Sequence, residues 1–298
     1  MTGGTVTTYR PKHILAAALA AIAVFTCTGR MAAGEAPVAG TVTKIAGGFT
    51  WAEGPAEIPG GTIYFTDNRE NLLWRIGPDG VASVAMNPAH RLNGMFALPD
   101  GTILGCAGDP KALVKYDPSS GTFTTLCDSQ DGEPFNAPND CWADSRGGVY
   151  FTDPYWGREP GRSRVRYLPP GATEPVTVND SMTRPNGVIG SPDGTVLYVT
   201  DWDDKRTFAF DIGPDGMLAN KREFAPVGDD GMTVDEHGNV YLTGAVLSVY
   251  SPEGMLLGII ETLETPANCI FCGTGRTTLL ITARTSVYTV PMSVRGHR

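Results

Sequence analysis

Six acidic or amide side chains recur at one phase along the chain: Glu53, Asn93, Asn139, Asn186, Asp230 and Asn268. Each stands 14 or 15 residues before the end of a short apolar run, and the runs end at Asp67, Ala107, Asp153, Asp201, Gly244 and Ala283. None of the six is His or Cys. Hard oxygen donors suit calcium or magnesium and make poor ligands for zinc, copper or nickel. Two carboxylates balance one divalent charge, while amide oxygens add ligation without adding charge. Calcium is favoured because it accepts many oxygens in irregular geometry. Mg2+, Mn2+ or Zn2+ are the alternatives. Asn-Gly and Asp-Gly are also common turn signals. Glycine follows only Glu53, Asn93, Asn186 and Asp230, whereas Asp140 and Cys269 follow the other two. A turn requirement alone does not select oxygen donors at those two places.

The elements that must position these residues follow from the runs. Ile63-Tyr64-Phe65-Thr66-Asp67, Val149-Tyr150-Phe151-Thr152-Asp153 and Val240-Tyr241-Leu242-Thr243-Gly244 have strand composition and follow Gly-containing turns. Successive run ends lie 40, 46, 48, 43 and 39 residues apart, the length at which four short strands make one propeller blade. In the first repeat Leu72 to Ile76 and Val81 to Val84 supply two more strands around Pro78-Asp79-Gly80. This predicts an all-β chain, a six-bladed β-propeller over residues 35–298, with the six polar residues meeting at its axis. The last repeat is one strand short. Thr41 to Ile45 is predicted to fill the outer place there, which closes the ring and removes an exposed edge.

Ahead of the ring, Arg10 and Lys12 precede the apolar stretch Ile14 to Phe25, and Ala32-Ala33-Gly34 follows. The stretch is shorter than the roughly 20 residues of a spanning helix and reads as a cleaved signal over residues 1–34. A periplasmic or secreted protein is expected. Lipidation of Cys27 is the competing reading, and Val24-Phe25-Thr26 makes a poor approach to such a cysteine. No other segment is long and apolar enough to span a membrane. A formal net charge of −9 with pI near 4.9 argues against a nucleic-acid partner, which needs a basic face. Five cysteines follow the leader, an odd number, and Cys269-Ile270-Phe271-Cys272 has no second pair to complete a zinc site. Buried thiols in strands are expected, with a disulfide among them as the alternative.

At the six positions the chain resembles the SMP-30/gluconolactonase/LRE family of calcium-dependent propeller hydrolases. The matching text is Ala52-Glu53-Gly54-Pro55, Ala137-Pro138-Asn139-Asp140, Val149 to Pro154, Arg184-Pro185-Asn186-Gly187, Asp230-Gly231-Met232 and Pro266-Ala267-Asn268-Cys269. It extends over about residues 50 to 292. The resemblance implies that Glu53, Asn139, Asn186 and Asp230 bind the metal, with no metal role for Asn93. The segment Gly105-Cys106-Ala107-Gly108 departs from the Cys-Glu-His-Gly-like text of the gluconolactonase branch, a difference that bears on substrate more than on metal.

The expected reaction is hydrolysis of a small-molecule lactone, a sugar lactone first. Calcium polarises the carbonyl and stabilises the developing oxyanion, and a base takes a proton from the attacking water. Asp230 is the candidate base, with Glu53 as runner-up. Asn93 and Asn268 are expected to border the cavity and touch substrate. Asp67, Asp153 and Asp201 close their strands and are expected to make turn hydrogen bonds. Trp51, Tyr155, Trp156 and Trp202 are candidates for the pocket wall. A phosphotriester hydrolase on the same ring and a ligand-binding propeller without turnover are the other readings.

Overall fold

The computed structural model describes residues 36–158 and 161–297; the leader reading falls outside them. Six four-stranded antiparallel sheets follow one another in the chain as six blades. Their innermost strands are Ala52–Glu57, Leu92–Ala97, Cys141–Ala143, Pro185–Gly190, Met232–Val234 and Asn268–Cys272. The apolar runs are the second strands, at Ile63–Asp67, Ile103–Ala107, Val149–Asp153, Val196–Asp201, Val240–Leu242 and Thr278–Ala283. Among the described residues the one helical element is a single 3-10 turn, Thr274–Arg276. The expected all-β propeller is the fold observed.

The spacing of 14 or 15 residues is a hairpin length. Ala52 pairs with Asp67, Leu92 with Ala107 and Pro185 with Asp201. Each polar residue therefore lies within two residues of the start of an innermost strand, near the end of its run. Second strands read as nearly continuous apolar sequence because each blade is covered on both faces by its neighbours. Val149–Asp153 is buried at all five positions. The core accordingly lies between blades: Tyr241, Leu247 and Val249 of the fifth pack with Phe271, Leu279 and Ile281 of the sixth.

The ring closes as expected. Thr43–Gly47 pairs with Ser286–Pro291 and forms the outer strand of the blade that begins at Asn268. It starts two residues later than Thr41 because the chain first bridges at Val38 to Met292 and then bends past Pro291.

Buried threonines at the penultimate position of the runs lace one blade to the next. The Thr66 hydroxyl donates to the Asn93 carbonyl at 3.3 Å, Thr152 to Asn186 at 2.6 Å, Thr200 to Asp230 at 2.8 Å and Thr243 to Ala267 at 2.8 Å. Thr200 also accepts the Gly187 N–H at 2.8 Å. All four threonines are fully buried. In the second blade Cys106 holds this position, and there the Asn139 carbonyl accepts the Gly94 N–H instead, at 2.7 Å.

Two stability outcomes follow from closure and lacing. Deleting residues through Phe49 removes the outer strand and lowers Tm well below that of a chain deleted only through Gly34; equal Tm values would show that closure contributes nothing. Thr200→Val leaves the Asp230 carbonyl and the Gly187 N–H buried without their partner. It should cost about 1 to 3 kcal/mol in denaturant unfolding, while Thr195→Val on the exposed turn should cost under about 0.5 kcal/mol.

Candidate active site

The innermost strands all run in the same direction, so the six polar residues gather at one end of the ring. A cavity of about 420 Å³ opens there, lined by Glu53, Asn93, Asn139, Asn186 and Asp230. Asn268 sits deeper. It lines a narrower cavity of about 70 Å³ farther along the axis, together with Asp140, and its side chain hydrogen-bonds to both Glu53 and Asp140. Five of the six predicted residues thus share the open cavity, and the sixth supports it from beneath.

Glycine after the polar residue answers a packing demand and not a turn. Gly94, Gly187 and Gly231 keep negative φ, yet a Cβ on Gly187 would lie 2.4 Å from the Asp230 carbonyl oxygen and one on Gly231 would lie 2.0 Å from the Asn268 side chain. Gly54 adds a positive φ of 42°, and a Cβ there would lie 1.9 Å from the Asn93 carbonyl oxygen. Each glycine makes room for the next polar residue around the ring.

The acids are held in an unfavourable setting. Glu53 is buried and accepts the Gly54 N–H at 3.1 Å; Trp51 and Asn268 also hydrogen-bond to it. Burial still pushes its carboxyl up to about 7. Asp230 is driven well above the carboxylate range, first by burial and then by the Glu53 charge. Asp140, one layer down, is pushed up to about 8 by burial and by Glu53, against the Cys141 N–H that it accepts. Asn186 Nδ2 donates to Asp230 Oδ1 at 3.1 Å. Three acids share one axis; no Lys lines either cavity, and the open cavity has no His, while His297 lines the narrower one. Among the described residues no group of three or more His, Cys, Asp or Glu is gathered as a metal set. Any ion held here must take part of its ligation from amide oxygens.

The cavity wall carries Trp51, Trp156 and Trp202, and Tyr155 is not part of it. Asp67, Asp153 and Asp201 make the expected turn bonds. They accept the N–H groups of Thr50 and Trp51, of Asn136 and Ala137, and of Thr183 and Arg184. Asp153 also forms a buried pair with Arg166 at 3.0 Å. The five cysteines among the described residues are buried and unbridged, which is the simpler of the two expectations. No described helix is long and apolar enough to cross a membrane.

Four site residues escaped the sequence reading. Asp140 was visible as the acid that replaces glycine after Asn139. Arg69 and Arg91 line the cavity, and Arg284 is placed where its charge acts on Glu53 and Asp230. All three arginines lie on loops outside the repeated phase, so periodicity carries no signal for them.

Comparison with known proteins agrees with this geometry. The chain is 28% identical over 295 residues to a gluconolactonase of Zymomonas mobilis, covering 86% of this chain and 82% of that one. It is 30% identical over 245 residues to an L-arabinolactonase of Azospirillum brasilense, covering 75% and 76%. A solved gluconolactonase from Xanthomonas campestris superposes with a TM-score of 0.80 at 28% identity, covering 86% of this chain and 91% of that one. A family model described as the SMP-30/Gluconolactonase/LRE-like region matches residues 51–285. That match runs from the first innermost strand to the end of the sixth run, and the chain belongs to this family.

Proposed function

We propose that the protein is a divalent-cation-dependent hydrolase that opens a sugar lactone. The observation that carries this reading is the convergence of Glu53, Asn139, Asn186 and Asp230 on one open cavity, in a chain whose relatives are named for sugar lactones. The donor set fits a hard cation. It offers oxygens only, and two of its carboxyls are kept from ionising by burial and mutual repulsion, a cost that a divalent charge would relieve. Glu53, Asn139, Asn186 and Asp230 would hold the ion, calcium first among the candidates. When bound, it would supply Lewis acidity toward the lactone carbonyl.

The rest of the chemistry belongs to the chain. Asp230 takes a proton from water as its oxygen bonds to the acyl carbon, and the proton passes to the ring oxygen as the ester C–O bond breaks. One Asp230 oxygen is engaged by Asn186, which fixes the carboxyl plane and leaves the second oxygen for that work. Asn93 lines the cavity, and its carboxamide offers a donor and an acceptor suited to substrate hydroxyls. The product is an open hydroxy acid.

Exchanging acid for amide separates base from ligand. Asp230→Asn keeps an oxygen donor and loses the basic site, so turnover of D-gluconolactone at saturating calcium should fall by about two orders of magnitude or more. Asn186→Asp adds a charge and should bind calcium at least as tightly. Recovery of Asp230→Asn to wild-type turnover at high calcium would leave Asp230 a ligand only. If no lactone of a broad panel is turned over in the calcium-loaded protein, the lactonase reading fails.

The raised carboxyls also set a pH dependence. Unfolded Glu titrates near 4.5 and folded Glu53 near 7, so between those values the folded state retains a proton that the unfolded chain has released. In chelator this contribution to stability is full below about 4.5 and is lost as pH rises through about 7. Cation binding needs the ionised acids, so the Tm gained on adding calcium should grow over the same window. Thermal unfolding across that range, with chelator and with calcium, checks both signs; a calcium increment that is flat with pH contradicts the assignment of the ligands.

A further inference from the structure

The basic residues around the open cavity divide into two groups. On the side of the third and fourth blades two cations are paired, Arg184 with Asp203 at 2.9 Å and Lys205 with Asp229 at 2.6 Å. On the side of the sixth, first and second blades, Arg284, Arg69 and Arg91 have no ion pair among the described residues. Arg69 and Arg284 both lie over the Trp51 ring, at 4.2 and 3.8 Å from its centroid. Arg284 Nη1 is buried without a hydrogen-bond partner. Arg69, Arg91 and Trp51 line the cavity itself.

This is an unusual place for unpaired cations in a chain of net charge −9. A buried guanidinium nitrogen without an acceptor is costly, and stacking on Trp51 holds the Arg69 and Arg284 forks in place without neutralising them. With a divalent ion balanced by Glu53 and Asp230, the three arginines outnumber the one remaining axial acid, Asp140, and leave the loaded cavity positive. A neutral sugar lactone leaves that charge standing. A lactone that carries its own anion cancels it, and planar guanidinium forks match carboxylate and phosphate oxygens in pairs.

We propose that the substrate is a lactone bearing an ionised acid group, carboxylate or phosphate, remote from the ester, and that Arg69, Arg91 and Arg284 seat that group against Trp51. The proposal rests on the lactonase reading and names its substrate class. The lactone ester faces the axial acids while the remote anion lies on the sixth-to-second-blade wall, so discrimination resides in the wall and bond cleavage on the axis.

The test compares D-gluconolactone with D-glucarolactone and 6-phosphogluconolactone on the calcium-loaded protein, the last two separating carboxylate from phosphate. One acidic lactone should exceed the neutral one in kcat/KM by about ten- to a hundredfold, the worth of one or two charge-assisted hydrogen bonds. Its KM should rise with ionic strength. Arg69→Gln and Arg284→Gln should each lower kcat/KM for the acidic lactone about tenfold more than for the neutral one, chiefly through KM. Equal handling of charged and neutral lactones overturns the proposal while the lactonase reading stands. Equal losses on both substrates overturn it too, and a changed calcium affinity in Arg284→Gln would then make that residue a counter-charge for the axial acids. Binding of the open acids supplies a readout without turnover: D-glucarate or 6-phosphogluconate should bind more tightly than D-gluconate. If neither does, the proposal fails even where no lactone is hydrolysed.

Discussion

A threonine hydroxyl donating to the carbonyl of the next blade's polar residue is the contact on which the site depends. Thr66, Thr152 and Thr200 each hold the backbone of an axial residue in the neighbouring blade, and Thr243 holds the residue just before Asn268. These hydroxyls are fully buried, so each bond is made in a medium where its loss is costly. Because the lace fixes the backbone, the side chain beyond it has little freedom left. Five of the six side chains can then meet in the open cavity, with Asn268 beneath them, each at or within two residues of the start of an innermost strand. Where the second blade has Cys106 in place of threonine, a backbone bond from Gly94 to Asn139 supplies the same tie.

That rigidity explains how the ring tolerates its own charges. Free to move, Glu53 and Asp230 would separate or reach water. Held as they are, they repel, lose hydration and retain protons. Asp140 adds a third acid behind them, at the one place where a carboxylate packs against Gly94 in the position that glycine takes elsewhere. The fold's stability supports this local cost, as is common at functional sites. Four amides around two acids keep the cost bounded, since a ring of six carboxylates would demand far more from the surrounding sheets.

Much of this was legible in the sequence because the fold repeats. Hairpin length fixes the interval between polar residue and run end, blade length fixes the interval between runs, and the short sixth repeat called for a strand from the N-terminal side. The depth of Asn268 was not legible. Its spacing matches that of the other five, and the one local difference is that the next residue is Cys269 where four of the others have glycine. Arg69, Arg91 and Arg284 were illegible for another reason. Loop residues obey no period, and which of them turn toward the cavity depends on the stacking partner, Trp51, that three-dimensional closure brings between blades six and one.

Axis and rim are fixed by separate devices. The axial residues hang on the threonine laces, whereas the loops that carry Trp51 and Arg184 hang on Asp67 and Asp201, which close the runs and accept the N–H groups of Thr50 and Trp51 and of Thr183 and Arg184. In the second, fifth and sixth blades the run ends in Ala107, Gly244 or Ala283, and no carboxylate is there to clamp the loop in the same way. Substituting a rim residue is therefore expected to leave the axial ring in place. Under the proposed function, one axial arrangement would in this way serve lactones of different shape and charge, and the arginines around Trp51 would set which of them this chain takes.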